Sequence, residues 1–175
     1  MNNSLFTCLV LLWGSLNCGA ISPWLAPDLE PLKAKAKSGD MDAHYRLAQA
    51  YLGGMGVETN HAEAMKWLQP ALDKEYDKAQ NLYGYMFHHG CGVTQDFAKA
   101  HEWYLKAAKQ GNYKAAANIG RMYNAGEGVP KNWETGESWL QASFILMQKT
   151  AEGGHPDDQS NLGWRYFSGE GLAER

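Results

Sequence analysis

Large apolar and small residues recur along the chain at helical spacing. A motif alanine is followed four, five and eight positions later by a large apolar, a small and an aromatic residue. The sets are Ala43, Leu47, Ala48, Tyr51, then Ala79, Tyr83, Gly84, Phe87, then Ala115, Ile119, Gly120, Tyr123. A fourth set has Asp158 in place of the alanine, followed by Leu162, Gly163 and Tyr166. These offsets fall on one face of a 3.6-residue helix. Glycine at the fifth offset costs about 1 kcal/mol of helix propensity, so close approach of a neighbouring helix is the expected reason for it. Behind each set comes a second helical stretch, with Ala64, Met65, Trp67 and Leu68, then Ala100, Trp103 and Tyr104, then Trp139 and Leu140.

Between the two stretches stand Gly54-Met55-Gly56-Val57, Gly90-Cys91-Gly92-Val93 and Gly126-Glu127-Gly128-Val129, each 36 residues after the last. Trp67, Trp103 and Trp139 keep the same period, as do Asn60, Asp96 and Asn132. The glycines suit the left-handed end of a helix, and Asn or Asp suits the start of the next. The tryptophans are expected in the core. A fourth string, Gly169-Glu170-Gly171-Leu172, lies 43 residues on. The seven extra residues fall in 139–150, where about two turns of added helix keep the buried face aligned. Gly39, Gly111 and Gly154 close helices ahead of units one, three and four, whereas unit two starts after Glu75. Pro70 predicts a kink or an early helix end.

These residues resemble the Sel-one-like repeat family, a branch of the tetratricopeptide-like αα repeats. Unit two and its link into unit three carry the closest likeness: Tyr83-Gly84, Phe87, Gly90, Gly92-Val93, Asp96, Lys99-Ala100, Trp103-Tyr104, Lys106-Ala107-Ala108 and Gly111. The resemblance implies an all-α, right-handed αα-solenoid of about three and a half helical pairs over residues 36–175, reached through an extended lead-in at 21–35. At the end of that lead-in, residues 33–37 suit a short capping helix. In such solenoids the first helices line a concave groove. Counted from the motif alanine, the exposed offsets give Tyr45, Gln49 and Leu52, then Asn81, Tyr85 and His88, then Ala117, Arg121 and Asn124, then Ser160, Trp164 and Phe167. Tyr, Trp and Arg are typical binding anchors, and an open groove carrying them suits a protein or peptide partner. In the other reading, Tyr45, Tyr85 and Trp164 only pad neighbouring helices.

Residues 1–20 carry no charge, and 5–16 form an apolar run too short to span a bilayer comfortably. A secretory signal fits, with small residues at Cys18 and Ala20 and cleavage after Ala20. That predicts a periplasmic or secreted protein. The alternative is a lipid anchor at Cys18, although Ser15-Leu16-Asn17 lacks the usual aliphatic-small-small order. Cys8 and Cys18 leave with a cleaved signal, and Cys91 alone forms no internal disulfide.

The 175 residues hold 16 Lys+Arg against 19 Asp+Glu, a net charge of −3. That balance argues against nucleic acid as a partner. The chain has no Gly-x-Ser-x-Gly, no His-Glu-x-x-His and no Walker sequence. His88-His89-Gly90-Cys91 brings three zinc-type ligands together. Adjacent helical histidines diverge by about 100°, however, and a closed site needs a fourth ligand. These positions therefore read as exposed turn residues, and neither metal nor cofactor is expected. His44, His61, His101 and His155 read as surface or interface residues, and Glu63, Glu102 and Glu134 as a solvated face. The reading is a non-enzymatic adaptor. The alternatives are an enzyme acting on cell-wall or β-lactam-like material, suggested only by family relatives, and a structural subunit of an envelope complex.

Overall fold

The structure, a computed structural model, describes residues 29–154 and 159–160. Among these the chain forms seven α-helices and no strand. They are α1 (Glu30–Lys37), α2 (Met41–Gly53), α3 (His61–Asp73), α4 (Asp77–His89), α5 (Phe97–Lys109), α6 (Tyr113–Ala125) and α7 (Trp133–Glu152). None is long and apolar enough to cross a membrane. The chain divides into two compact units between Trp67 and Leu68.

The helix ends follow from the punctuation. Gly54, Gly90 and Gly126 end α2, α4 and α6 in the left-handed region, at φ 68°, 71° and 80°. The second glycine of each string is also left-handed. The next helix starts on Asn60, Asp96 or Asn132, whose Oδ1 accepts the backbone N–H three residues on, at 3.0 Å each time. The same backbone bond closes all three turns. Asn60, Asp96 and Asn132 donate to the carbonyls of Tyr51, Phe87 and Tyr123 at 2.8, 2.9 and 2.9 Å.

Three local expectations change. α1 begins at Glu30, so the helix expected at 33–37 starts earlier and residues 30–32 are helical rather than extended, with Pro31 in its first turn. The reason is that a proline there forfeits only an N–H with no intrahelical acceptor. α3 runs on past Pro70 to Asp73. The carbonyl left without its N–H belongs to exposed Lys66, where water replaces the bond, and buried Leu68, Ala71 and Leu72 hold the last turn. The third change is at the periodic tryptophans, which are half-buried rather than fully buried. Trp103 packs edge-on to Tyr83 and carries Lys106 Nζ 3.9 Å above its ring. The buried aromatic is its neighbour Tyr104, at 2% exposure.

In the first unit α1 packs on α2 through Leu29, Ala36, Ala43, Leu47 and Ala50, with Leu32, Val57 and Trp67 at the edge. In the second, consecutive helices from α4 to α7 pack on one another around Ala100, Tyr104, Ala107, Ala115, Ile119 and Met122. The small residue at the fifth offset explains the tight crossings. A Cβ on Gly84 would lie 2.7 Å from the Tyr104 ring, and one on Gly120 would lie 2.8 Å from the Gly136 carbonyl and from Leu140. α7 has 20 residues where α5 has 13, so the seven-residue insertion lengthens the helix. Its buried positions Gly136, Ser143, Met147 and Ala151 keep one face through the added turns.

Candidate functional site

In the second unit α4 and α6, the first helices of repeats two and three, are tied by three side-chain bonds. Near their starts Asn112 Nδ2 donates to Asp77 Oδ2 at 2.8 Å. Midway Asn118 Nδ2 donates to Asn81 Oδ1 at 3.2 Å. At the ends His88 Nε2 meets Glu127 Oε2 at 2.8 Å. Each bond joins residues about one repeat apart. Asn112 caps the start of α6 and Glu127 lies in the turn after it, so the bonds join α4 to α6 and its two flanks without a backbone connection.

Several predicted site residues are therefore already engaged. Asn81 is an acceptor in the middle bond. His88 is not an exposed turn residue, its side chain being 20% exposed. Its ring also meets Phe97 at 5.1 Å and His89 at 4.6 Å. Burial lowers the pKa of His89 first, His88 beside it lowers it further, and Glu127 opposes both. Asn124 turns its Oδ1 inward against α7, so closely that a Cβ on Gly136 would overlap it. Leu52 and Ala117 are buried, because their offsets point into the packing.

Tyr85 and Arg121 occupy the same position on α4 and α6 and remain accessible. Tyr85 is half-buried, with its ring 4.2 Å from His89. Arg121 is exposed and donates from Nη1 to Asn118 Oδ1 at 2.9 Å. Beneath them lies Tyr104, whose phenol is held well above its usual pKa by burial first, then by Tyr85 and Glu127, with Arg121 acting the other way. The sequence reading missed Asn118, Tyr104 and Glu127. The available signal was complementary polar pairs near, but not at, one period apart, such as Asn81 with Asn118 and His88 with Glu127, 37 and 39 residues apart.

In the first unit Tyr45 is half-buried. Gln49 lines a cleft of about 400 Å³ with Leu32, Lys35, Arg46 and Met55. His44 is buried and bonds the Trp67 carbonyl through Nδ1 at 3.0 Å. Ser160 is exposed, while Trp164 and Phe167 lie outside the described residues, as do residues 1–28. Among the described residues no three of His, Cys, Asp and Glu group so as to hold a metal ion.

Paired helices at a fixed period, punctuated by Gly-x-Gly turns, define an all-α helical repeat solenoid. The Sel1 repeat family model matches residues 42–76, 77–112, 114–155 and 156–175, and the chain belongs to that family. Among solved structures it is similar to a Sel1 repeat protein from Oxalobacter formigenes, at 34% identity and TM-score 0.53 over 78% of this chain and 97% of that one. It is also similar to a protective antigen of uropathogenic Escherichia coli strains displaying an SLR fold, at 29% identity and TM-score 0.59 over 83% of this chain. Only 37% of that antigen is covered. No curated protein matches the chain significantly. Sel1 repeats are generally protein–protein interaction modules, and proteins built from them are typically non-enzymatic scaffolds.

Proposed function

We propose that this chain is an exported, non-enzymatic adaptor that binds a protein or peptide segment along the first helices of its repeats. The observation that carries the reading is the α4/α6 face. Tyr85 and Arg121 stand at equivalent positions there, accessible, on two helices that the three cross-bonds hold in register. A face already fixed in this way loses little freedom when it binds, and Tyr with Arg is a pairing typical of interface hot spots. The uncharged apolar stretch at the start of the sequence supports export.

Affinity capture from an envelope extract of the native host, with the captured protein identified and titrated, tests both parts. Tyr85→Ala should weaken a direct partner by about 2 kcal/mol or more, roughly thirtyfold, while leaving the helical circular dichroism spectrum unchanged. Undiminished affinity in Tyr85→Ala would move binding to another surface. Mass spectrometry of the natural protein should find Ile21 at the N-terminus. An intact Met1 would refute export by a cleaved signal, and a diacylglyceryl Cys18 would replace the soluble form with a lipid-anchored one.

A further inference from the structure

We infer that the occupant of the α4/α6 face is an acidic segment of the partner protein, with one carboxylate seated on Arg121. This rests on the adaptor reading above and adds the chemistry of the ligand.

The charge on this face opposes that of the whole chain. The protein is −3 overall, yet α6 contains no Asp or Glu, and the one acid in α4, Asp77, already accepts the Asn112 amide. The cations are Lys78 on α4 and Lys114 and Arg121 on α6, all exposed. The nearby acid Glu127 is taken by His88.

Arg121 is also positioned. Asn118 donates to Asn81, which fixes the orientation of its amide and aims its Oδ1 at Arg121 Nη1. A guanidinium has five N–H donors in a rigid fork. This bond uses one of them, and among the described residues Arg121 makes no ion pair. The remaining donors fit a carboxylate in two-point geometry. Tyr85 at the equivalent position of α4 offers an aromatic surface beside it.

The spacing constrains the ligand further. Lys114 precedes Arg121 by seven residues, about two turns or roughly 10 Å along the same stripe of α6. A peptide in the polyproline-II conformation advances about 3.1 Å per residue and brings every third side chain to the same face. Two acidic residues three apart therefore span Arg121 and Lys114.

The test is selection of a random decapeptide library on the mature full-length protein, in parallel with Arg121→Gln, Arg121→Lys and Tyr85→Ala. Each variant is first checked for an unchanged thermal unfolding midpoint. The wild type should enrich peptides with Asp or Glu pairs three apart. The best of these should bind at least about tenfold more tightly than its Asn/Gln counterpart. Arg121→Gln should abolish that preference and Arg121→Lys should restore it in part, and added salt should weaken it. Peptides that depend on Tyr85 but show no acidic preference would overturn the charge assignment and leave the adaptor reading intact. No enrichment that depends on Tyr85 or Arg121 would overturn both. Phosphatidylserine vesicles or a single-stranded 20-mer binding through Arg121 more tightly than the best peptide would replace the acidic peptide with another anion.

Discussion

Glu75 stands where the period places glycine in its neighbours, Gly39 and Gly111, and it adopts the same left-handed backbone, at φ 53° against 92° for each of them. A side chain there costs about 1–2 kcal/mol. The conformation is held from outside, because Gln110 Nε2 donates to the Glu75 carbonyl at 2.9 Å and to Gln80 Oε1 at 2.8 Å. The next residue, Tyr76, begins α4 without a side-chain cap, unlike Asp40 and Asn112 at the equivalent positions. Since Gln110 bonds the backbone and the Glu75 side chain is exposed, Glu75→Gly should relieve the strain and keep the bond. After the added flexibility of glycine in the unfolded chain, a gain of about 0.5–1 kcal/mol is expected from urea unfolding. A loss would mean that the Glu75 side chain itself contributes to the junction.

Elements meet in this fold at small residues, and those contacts recur at the repeat spacing. Gly84 faces Tyr104 and the Ala100 carbonyl, and one period later Gly120 faces Leu140 and the Gly136 carbonyl. At Gly120 the obstruction is backbone, which yields less readily than the end of a flexible side chain. Gly120→Ala gains about 1 kcal/mol in helix propensity but forces α6 and α7 apart, at a typical cost of about 1–3 kcal/mol. A net loss of up to about 2 kcal/mol is expected in chemical denaturation. Gly53 at the end of α2 is the contrast. A Cβ there would meet only Met55, at 3.8 Å, so Gly53→Ala should be neutral or slightly stabilising. Equal effects at the two sites would contradict the close-approach explanation. At this scale the sequence was most informative, because helix ends and crossing points depend on one or two residue types at a fixed spacing. The cross-bonds between α4 and α6 were harder to read. Their partners lie 35, 37 and 39 residues apart, either side of the period, so aligning equivalent positions hides them. His88 consequently read as a turn residue although Glu127 binds it. Trp103 read as core for the opposite reason. The period marks positions that every repeat needs, but a large indole satisfies such a position while staying half in water beneath Lys106.

For the molecule as a whole, stability depends on packing and on the histidines that the packing partly covers. His89 is pushed below its ordinary pKa by burial and by His88 beside it, with Glu127 opposing. His101 is pushed down by burial, with Glu102 opposing, and its Nε2 is buried with no hydrogen-bond partner. A histidine whose folded pKa lies below its unfolded value favours the folded state only while neutral. Above about pH 6.5 both states are neutral and these groups have no effect on stability. As the pH falls through that value the unfolded chain binds protons first, so stability drops until the lower folded pKa values are passed. Asp96 acts in a separate window. The backbone N–H of Lys99 holds its carboxylate below the usual range, so its contribution is lost only as the pH falls below about 4. Urea midpoints measured between about pH 8 and pH 5 therefore isolate the histidines. The wild-type midpoint should be level down to about pH 6.5 and then fall. The double variant His89→Gln with His101→Gln should flatten that limb and leave the behaviour below about pH 4 unchanged. A wild-type midpoint that rises on acidification in this range would show the two rings better satisfied when charged, which the burial and the unpartnered Nε2 of His101 argue against.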